Sequence, residues 1–203
     1  MPSSLTLPSS NRVSPDGPFI NAALGIAPVD SDGVRIMTYD LDSDSSGGVG
    51  GADHLTLATT SLYFGEIRLL PAIGSERLPL TMSAEILRWN GAGFVPNGND
   101  SCTQIPAARL ALSGWTKNLG AGETVLPAGP LTFAAGRGAL RLSAPGAGND
   151  GTVLITADLT TAGIGYLTGR WGGATRYIQN PSAIAAFGLY KGAGQIIHFR
   201  ENY

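Results

Sequence analysis

Charge is scarce in this chain. Only 14% of its 203 residues are Asp, Glu, Lys or Arg, against about 25% in an ordinary globular protein. Lysine is nearly missing, with Lys117 and Lys191 the only two among 13 basic residues. A net charge of −2 and no basic block leave no electrostatic footprint for nucleic acid. No apolar run approaches the roughly 18 residues of a membrane-spanning helix. Residues 1–11 have neither a basic n-region nor an apolar h-region, so they do not read as a signal peptide. Histidine is limited to His54 and His198, and there is no HExxH, GxSxG or P-loop pattern. Glu66, Glu76, Glu85 and Glu123 are scattered, without the paired carboxylates of a glycosidase. The chain therefore reads as non-enzymatic. A single cysteine, Cys102, excludes an internal disulfide.

Helical periodicity is missing as well. No stretch keeps apolar residues at i, i+3, i+4 and i+7 for three turns without an intervening Gly or Pro. What is present is 43% hydrophobic residues, enough for a core, punctuated by 29 glycines and 13 prolines. Short apolar or alternating runs recur between turn clusters. They fall at Gly33–Leu41, Leu55–Leu57, Leu62–Leu70, Leu78–Trp89, Gly93–Val95, Arg109–Trp115, Leu131–Ala134, Ala139–Ser143, Thr152–Leu159, Ala183–Tyr190 and Gln195–Glu201. This pattern predicts an all-β fold of the β-sandwich type, Ig-like or jelly-roll-like, with about eleven short strands.

Three hairpins are expected: Leu87–Trp89 with Phe94–Val95, Leu140–Ala144 with Val153–Ala157, and Ala185–Tyr190 with Gln195–Arg200. Residues 1–18, rich in Ser and Pro, read as a linker or extended arm. Residues 19–203 read as one all-β domain, with a subdivision near residue 60 as an option.

Three local patterns bear on chemistry. Six of the ten aspartates lie between Asp30 and Asp53. Asp40, Asp42 and Asp44, with Asp53 further on, resemble a calcium loop, because carboxylates two apart on a turning backbone converge on one ion. The EF-hand template fails at its twelfth position, Gly51, so the stretch reads either as a loose Ca²⁺ site or as a solvated Asp/Ser/Gly turn. No other cofactor is implied. The Gly146–Gly151 match to GxGxxG precedes a strand-like run, where a dinucleotide site needs a helix, so it reads as a loop. Residues 160–182 form a long loop carrying Tyr166, Arg170, Trp171 and Tyr177. Rings beside arginines offer a platform for a sugar or protein partner; the competing reading is a plug over the end of the sandwich.

One ordered string of motifs is distinctive. Tyr63–Leu69, Gly74–Leu80, Trp89–Gly91 and Asn99–Thr103 are followed by Leu142–Gly146, Asn180–Ala183, Phe187–Tyr190 and Arg200–Tyr203. This string resembles the C-terminal domain of unknown function of MshQ-like proteins, named for biogenesis of the mannose-sensitive haemagglutinin (MSHA) type IV pilus. The resemblance runs from about Phe19 to the end. It implies the C-terminal part of a longer exported bacterial protein at the cell surface or outside it, with a structural or adhesive role near a type IV pilus. Implied partners are other domains of the parent chain, pilus subunits or surface glycans. The family motifs fall on Gly74, Ser75 and Glu76 and on Asp100, Ser101, Cys102 and Thr103, and the resemblance leaves room for a partner of Cys102 elsewhere in the parent. The alternatives are a carbohydrate-binding module using the 160–182 loop and a cell-envelope hydrolase.

Overall fold

The computed structural model describes residues 12–26 and 55–188. Asp40, Asp42, Asp44 and Asp53, both histidines and the second arm of the expected C-terminal hairpin lie outside the described residues. Two compact units are resolved. The first gathers residues 12–15, 65–88 and 94–188; the second gathers residues 16–26, 55–64 and 89–93.

In the second unit, β1 (Phe19–Ile26) pairs antiparallel with β2 (Leu55–Leu62), interrupted by two register shifts. Asn21 sits there at φ 59°, a left-handed conformation that breaks the alternation of the strand.

The first unit holds two sheets. One runs β3 (Gly65–Leu69), β5 (Leu80–Trp89), β10 (Arg137–Leu142), β9 (Leu131–Ala134), β7 (Gln104–Ile105), with β6 (Phe94–Pro96) also on β5. The other runs β4 (Ala72–Gly74), β12 (Ser182–Phe187), β11 (Gly151–Ala157), β8 (Leu110–Ser113), with β4 parallel to β12. Alternation within each strand decides which side chains face inward. Along β11, Val153, Ile155 and Ala157 are fully buried while Thr152, Leu154 and Thr156 are only half-buried. Along β5, Leu80, Met82, Ala84 and Ile86 are buried in the same way. These rows, with Ile67, Phe133, Leu140, Leu142 and Phe187, form one hydrophobic core, so the arrangement is a β-sandwich. Phe187 has no exposed surface, and truncating such a ring costs about 3–5 kcal/mol.

The expected hairpin of Leu140–Ala144 with Val153–Ala157 does not form. Both flanks of β10 are occupied, by β5 from Arg137↔Glu85 to Leu142↔Leu80 and by β9. β11 pairs instead with β12 and β8. Leu140 and Ile155 belong to one core but to different sheets, so residues 143–150 cross from sheet to sheet. The GxGxxG stretch lies in this crossing and its end opens β11. The expected pairing of β5 with β6 does form, closed by the Asn90 amide donating to the Gly93 carbonyl at 3.1 Å.

Candidate functional site

The Asp100–Thr103 motif braces a strained turn. β9 and β10 are joined by two residues, Ala135 (φ 49°) and Gly136 (φ 72°), as a type I′ hairpin requires. The Gly136 amide donates to the Asp100 carbonyl at 2.6 Å, and the Ala135 amide donates to Ser101 Oγ at 2.9 Å. Asp100 is held in turn by its own loop: Oδ1 accepts the amides of Cys102 (3.3 Å) and Thr103 (3.1 Å), and Oδ2 accepts the Thr103 hydroxyl (2.8 Å). A Cβ on Gly136 would collide with the Asn97 carbonyl, so the turn needs glycine for space as well as for φ. Cys102 is exposed, its thiol 3.8 Å from Asp100 Oδ1.

The Gly74–Glu76 motif sits elsewhere. Gly74 ends β4 and its carbonyl accepts the Gly188 amide at 2.9 Å. Ser75 turns the chain, with Oγ accepting the Arg77 amide and its carbonyl accepting the Leu78 amide. Glu76 is buried, its carbonyl accepts the Gly146 amide at 2.8 Å, and its carboxylate lies 3.9 Å from Arg77 Nε. Gly74 packs on Leu80 at the start of β5, whereas Gly136 bonds Ile86 near its end. The two motifs are therefore separated by six strand residues, about 20 Å.

The 160–182 loop is tied at its neck. Asn180 Oδ1 accepts the Leu159 amide at 3.0 Å, and Gly169 and Gln179 exchange two backbone bonds at 3.0 Å. Hydrogen bonds from the Thr161 hydroxyl and then from the Thr161 amide (3.1 Å) hold the Asp158 carboxyl below the usual range. The four aromatic and basic residues singled out from the sequence differ in exposure. Tyr177 is 7% exposed, with Phe94 at 5.7 Å and the Arg170 guanidinium 5.3 Å from its ring centre. Trp171 lies against Gly169 so closely that a Cβ there would strike the indole, and its ring nitrogen is buried without a hydrogen-bond partner among the described residues. Tyr166 is 53% exposed. Partial burial raises the pKa of its phenol, and the charges of Asp100 and Cys102 raise it further.

Sequence reasoning missed the most perturbed pair of charges. Glu66 on β3 and its register partner Leu87 alternate with the inward Ile67 and Ile86, yet they are only 5% and 3% exposed. Chain from outside the sheet covers this corner. Arg12, 9% exposed, donates to the carbonyls of Gly65 (2.5 Å) and Gly165 (3.3 Å) and to Thr168 Oγ1 (3.3 Å). Burial lowers its pKa to about 10, against the opposing influence of Glu66 and Tyr177. Burial likewise raises Glu66 to about 6, against the pull of Arg68, Arg12 and Arg170. Each charge is thus desolvated more than it is repaid, as expected of a buried ionic cluster. No sequence signal marks Arg12, because most of its acceptors are backbone carbonyls that any residue supplies.

Chemically, this corner holds a planar cation against two backbone carbonyls and the Thr168 hydroxyl. Among the described residues no group of three or more His, Cys, Asp or Glu side chains is placed to hold a metal ion. No helix among them is long and apolar enough to cross a membrane.

Comparison with curated proteins and with solved structures finds no match. A family model described as DUF6701, fourth domain, matches residues 63–202, which include β3 to β12 and both braced motifs. The chain belongs to the DUF6701 family, and its β-sandwich is the fourth domain of that family's architecture.

Proposed function

We propose that this chain is a non-enzymatic structural module, the C-terminal part of an exported bacterial surface protein working in or near an MSHA-like type IV pilus. One observation carries the structural half of this reading. The Asp100, Ser101 and Thr103 side chains hydrogen-bond within their own loop and to the β9–β10 turn. A residue set that braces a hairpin serves the fold, and a fourth domain presupposes other domains for that fold to support. The pilus setting rests on the resemblance of the motif string to MshQ-like proteins.

The carbohydrate-binding alternative draws less support. Tyr177 is buried and the Trp171 indole nitrogen is covered, so of the four residues Tyr166 and Arg170 are the ones exposed to a sugar. A glycan array separates the two readings. The structural reading expects no glycan bound above background by the wild-type chain. Binding that disappears in Trp171→Ala or Tyr166→Ala, with folding intact, overturns it in favour of a lectin. Deleting the parent gene tests the setting: surface pili fall in number, and unchanged piliation removes the pilus link.

A further inference from the structure

The family match begins at residue 63, yet a side chain from far upstream is buried in the matched domain. Within residues 12–16, Arg12 alone is buried, while Val13, Ser14 and Asp16 are exposed. The chain leaves the first unit after residue 15 and re-enters it at Gly65, the residue whose carbonyl Arg12 grips. We infer that the fourth domain carries an arginine-receiving seat between the start of β3 and the 160–182 loop, and that the segment bearing Arg12 is its ligand, held in cis.

The seat has the chemistry of guanidinium recognition. Gly65 O, Gly165 O and Thr168 Oγ1 are spread around the two terminal nitrogens of Arg12, an arrangement matched to a planar fork of N–H donors. Thr168, 3% exposed, has its hydroxyl 2.7 Å from the carbonyls of Gly165 and Tyr177. Donating its one hydrogen to one of these two carbonyls leaves a lone pair on Oγ1 for Arg12. The Glu66 carboxylate supplies attraction to the cation. The Tyr177 amide donates to the Arg12 carbonyl at 2.7 Å, so the seat holds the main chain of the segment as well as its side chain. One buried anchor followed by the exposed Val13 and Ser14 fits the anatomy of a bound extended peptide. An ammonium in place of the guanidinium cannot satisfy three divergent acceptors from one plane.

The test uses the full chain with its anchor removed, Arg12→Ala, and adds ethylguanidinium or ethylammonium chloride as probes. Amide chemical shifts of Gly65, Thr168 and Tyr177 are followed by NMR. The expected result is saturable shifts with ethylguanidinium at a Kd of about 1–10 mM, the range open to so small a ligand. Ethylammonium produces at least tenfold weaker shifts, and wild type, its seat filled, does not respond. Arg12→Met keeps the aliphatic stem and replaces Arg12→Ala should the latter not fold. Absence of saturation in the folded variant, an equal response to ethylammonium, or an equal response by wild type each overturns the inference.

Discussion

The carbonyl of Asp100 accepts the amide hydrogen of Gly136 at 2.6 Å, joining a family motif to the tip of the β9–β10 hairpin. Both turn residues have positive φ, and the first of them is an alanine, a residue that avoids that region. The hairpin is thus held in an uphill conformation by the loop beside it. The same Gly136 accepts from the Ile86 amide through its carbonyl at 2.8 Å, so the brace continues into the longest strand of the sandwich.

Removing the brace should loosen the fold. Asp100→Ala deletes the acceptors of two amides and a hydroxyl, and is expected to destabilise by about 2 kcal/mol. Asp100→Asn retains the Oδ1 acceptor and should lose about half as much. Urea midpoints at constant m-value measure both. An unchanged midpoint for Asp100→Ala would mean that the motif does not serve the turn.

The turn residues should respond with opposite signs. Ala135→Gly relieves a positive φ and is expected to stabilise by about 0.5 kcal/mol, the relief being partly offset by added freedom in the unfolded chain. Gly136→Ala drives a Cβ into the Asn97 carbonyl and should cost at least about 2 kcal/mol. Thermal unfolding of the two variants beside wild type decides the matter; equal shifts of one sign would contradict the geometry.

Glu66 makes stability depend on pH in a direction unusual for a carboxylate. Its pKa is raised in the folded state to about 6 from 4.5, so below pH 6 the native state binds protons that the unfolded state does not. The penalty of burying the charge is therefore fully present at pH 7, and it is relieved as pH falls from about 6 to 4.5. At about 1.4 kcal/mol per pKa unit the effect is on the order of 2 kcal/mol or less. Glu66→Gln should stabilise the protein at pH 7 and leave it near wild type at pH 4.5. Denaturation of both proteins across that range measures the difference, and a constant difference would exclude Glu66 as the source.

Trp171 depends on the missing side chain at residue 169. Gly169→Ala places a methyl group in the indole, so the ring must leave its seat. Fluorescence should shift to the red as the indole becomes hydrated, and Trp171→Ala in the same background should abolish that shift. A spectrum unmoved by Gly169→Ala would show that the loop accommodates the methyl group.

Strand character was readable wherever one face is buried and the other is not. β5 and β11 alternate over many residues, and β9 falls on the expected Leu131–Ala134. β4 and β7, three and two residues long, carry no period to read, and they are strands because β12 and β9 lie alongside. In β1, Asn21 at positive φ and two register shifts scramble the alternation. The positions of the Gly74–Glu76 and Asp100–Thr103 motifs were visible in the sequence, but their separation along β5 from Leu80 to Ile86 was not. Glu66 looked like one more scattered glutamate, and Arg12 looked like part of a polar arm.

By itself the sequence determined the class of the fold. Period-two hydrophobicity and frequent Gly, Pro and Asn turns permit sheets and forbid long helices, because these are local properties of a few consecutive residues. Tertiary structure alone decided which strands pair: β5 and β9 take both flanks of β10, and β12 and β8 take both flanks of β11. It alone decided the Arg12 seat too. Two of the acceptors there are backbone carbonyls, chemically the same at every residue, and only folding brings Gly65, Gly165 and Thr168 around one guanidinium.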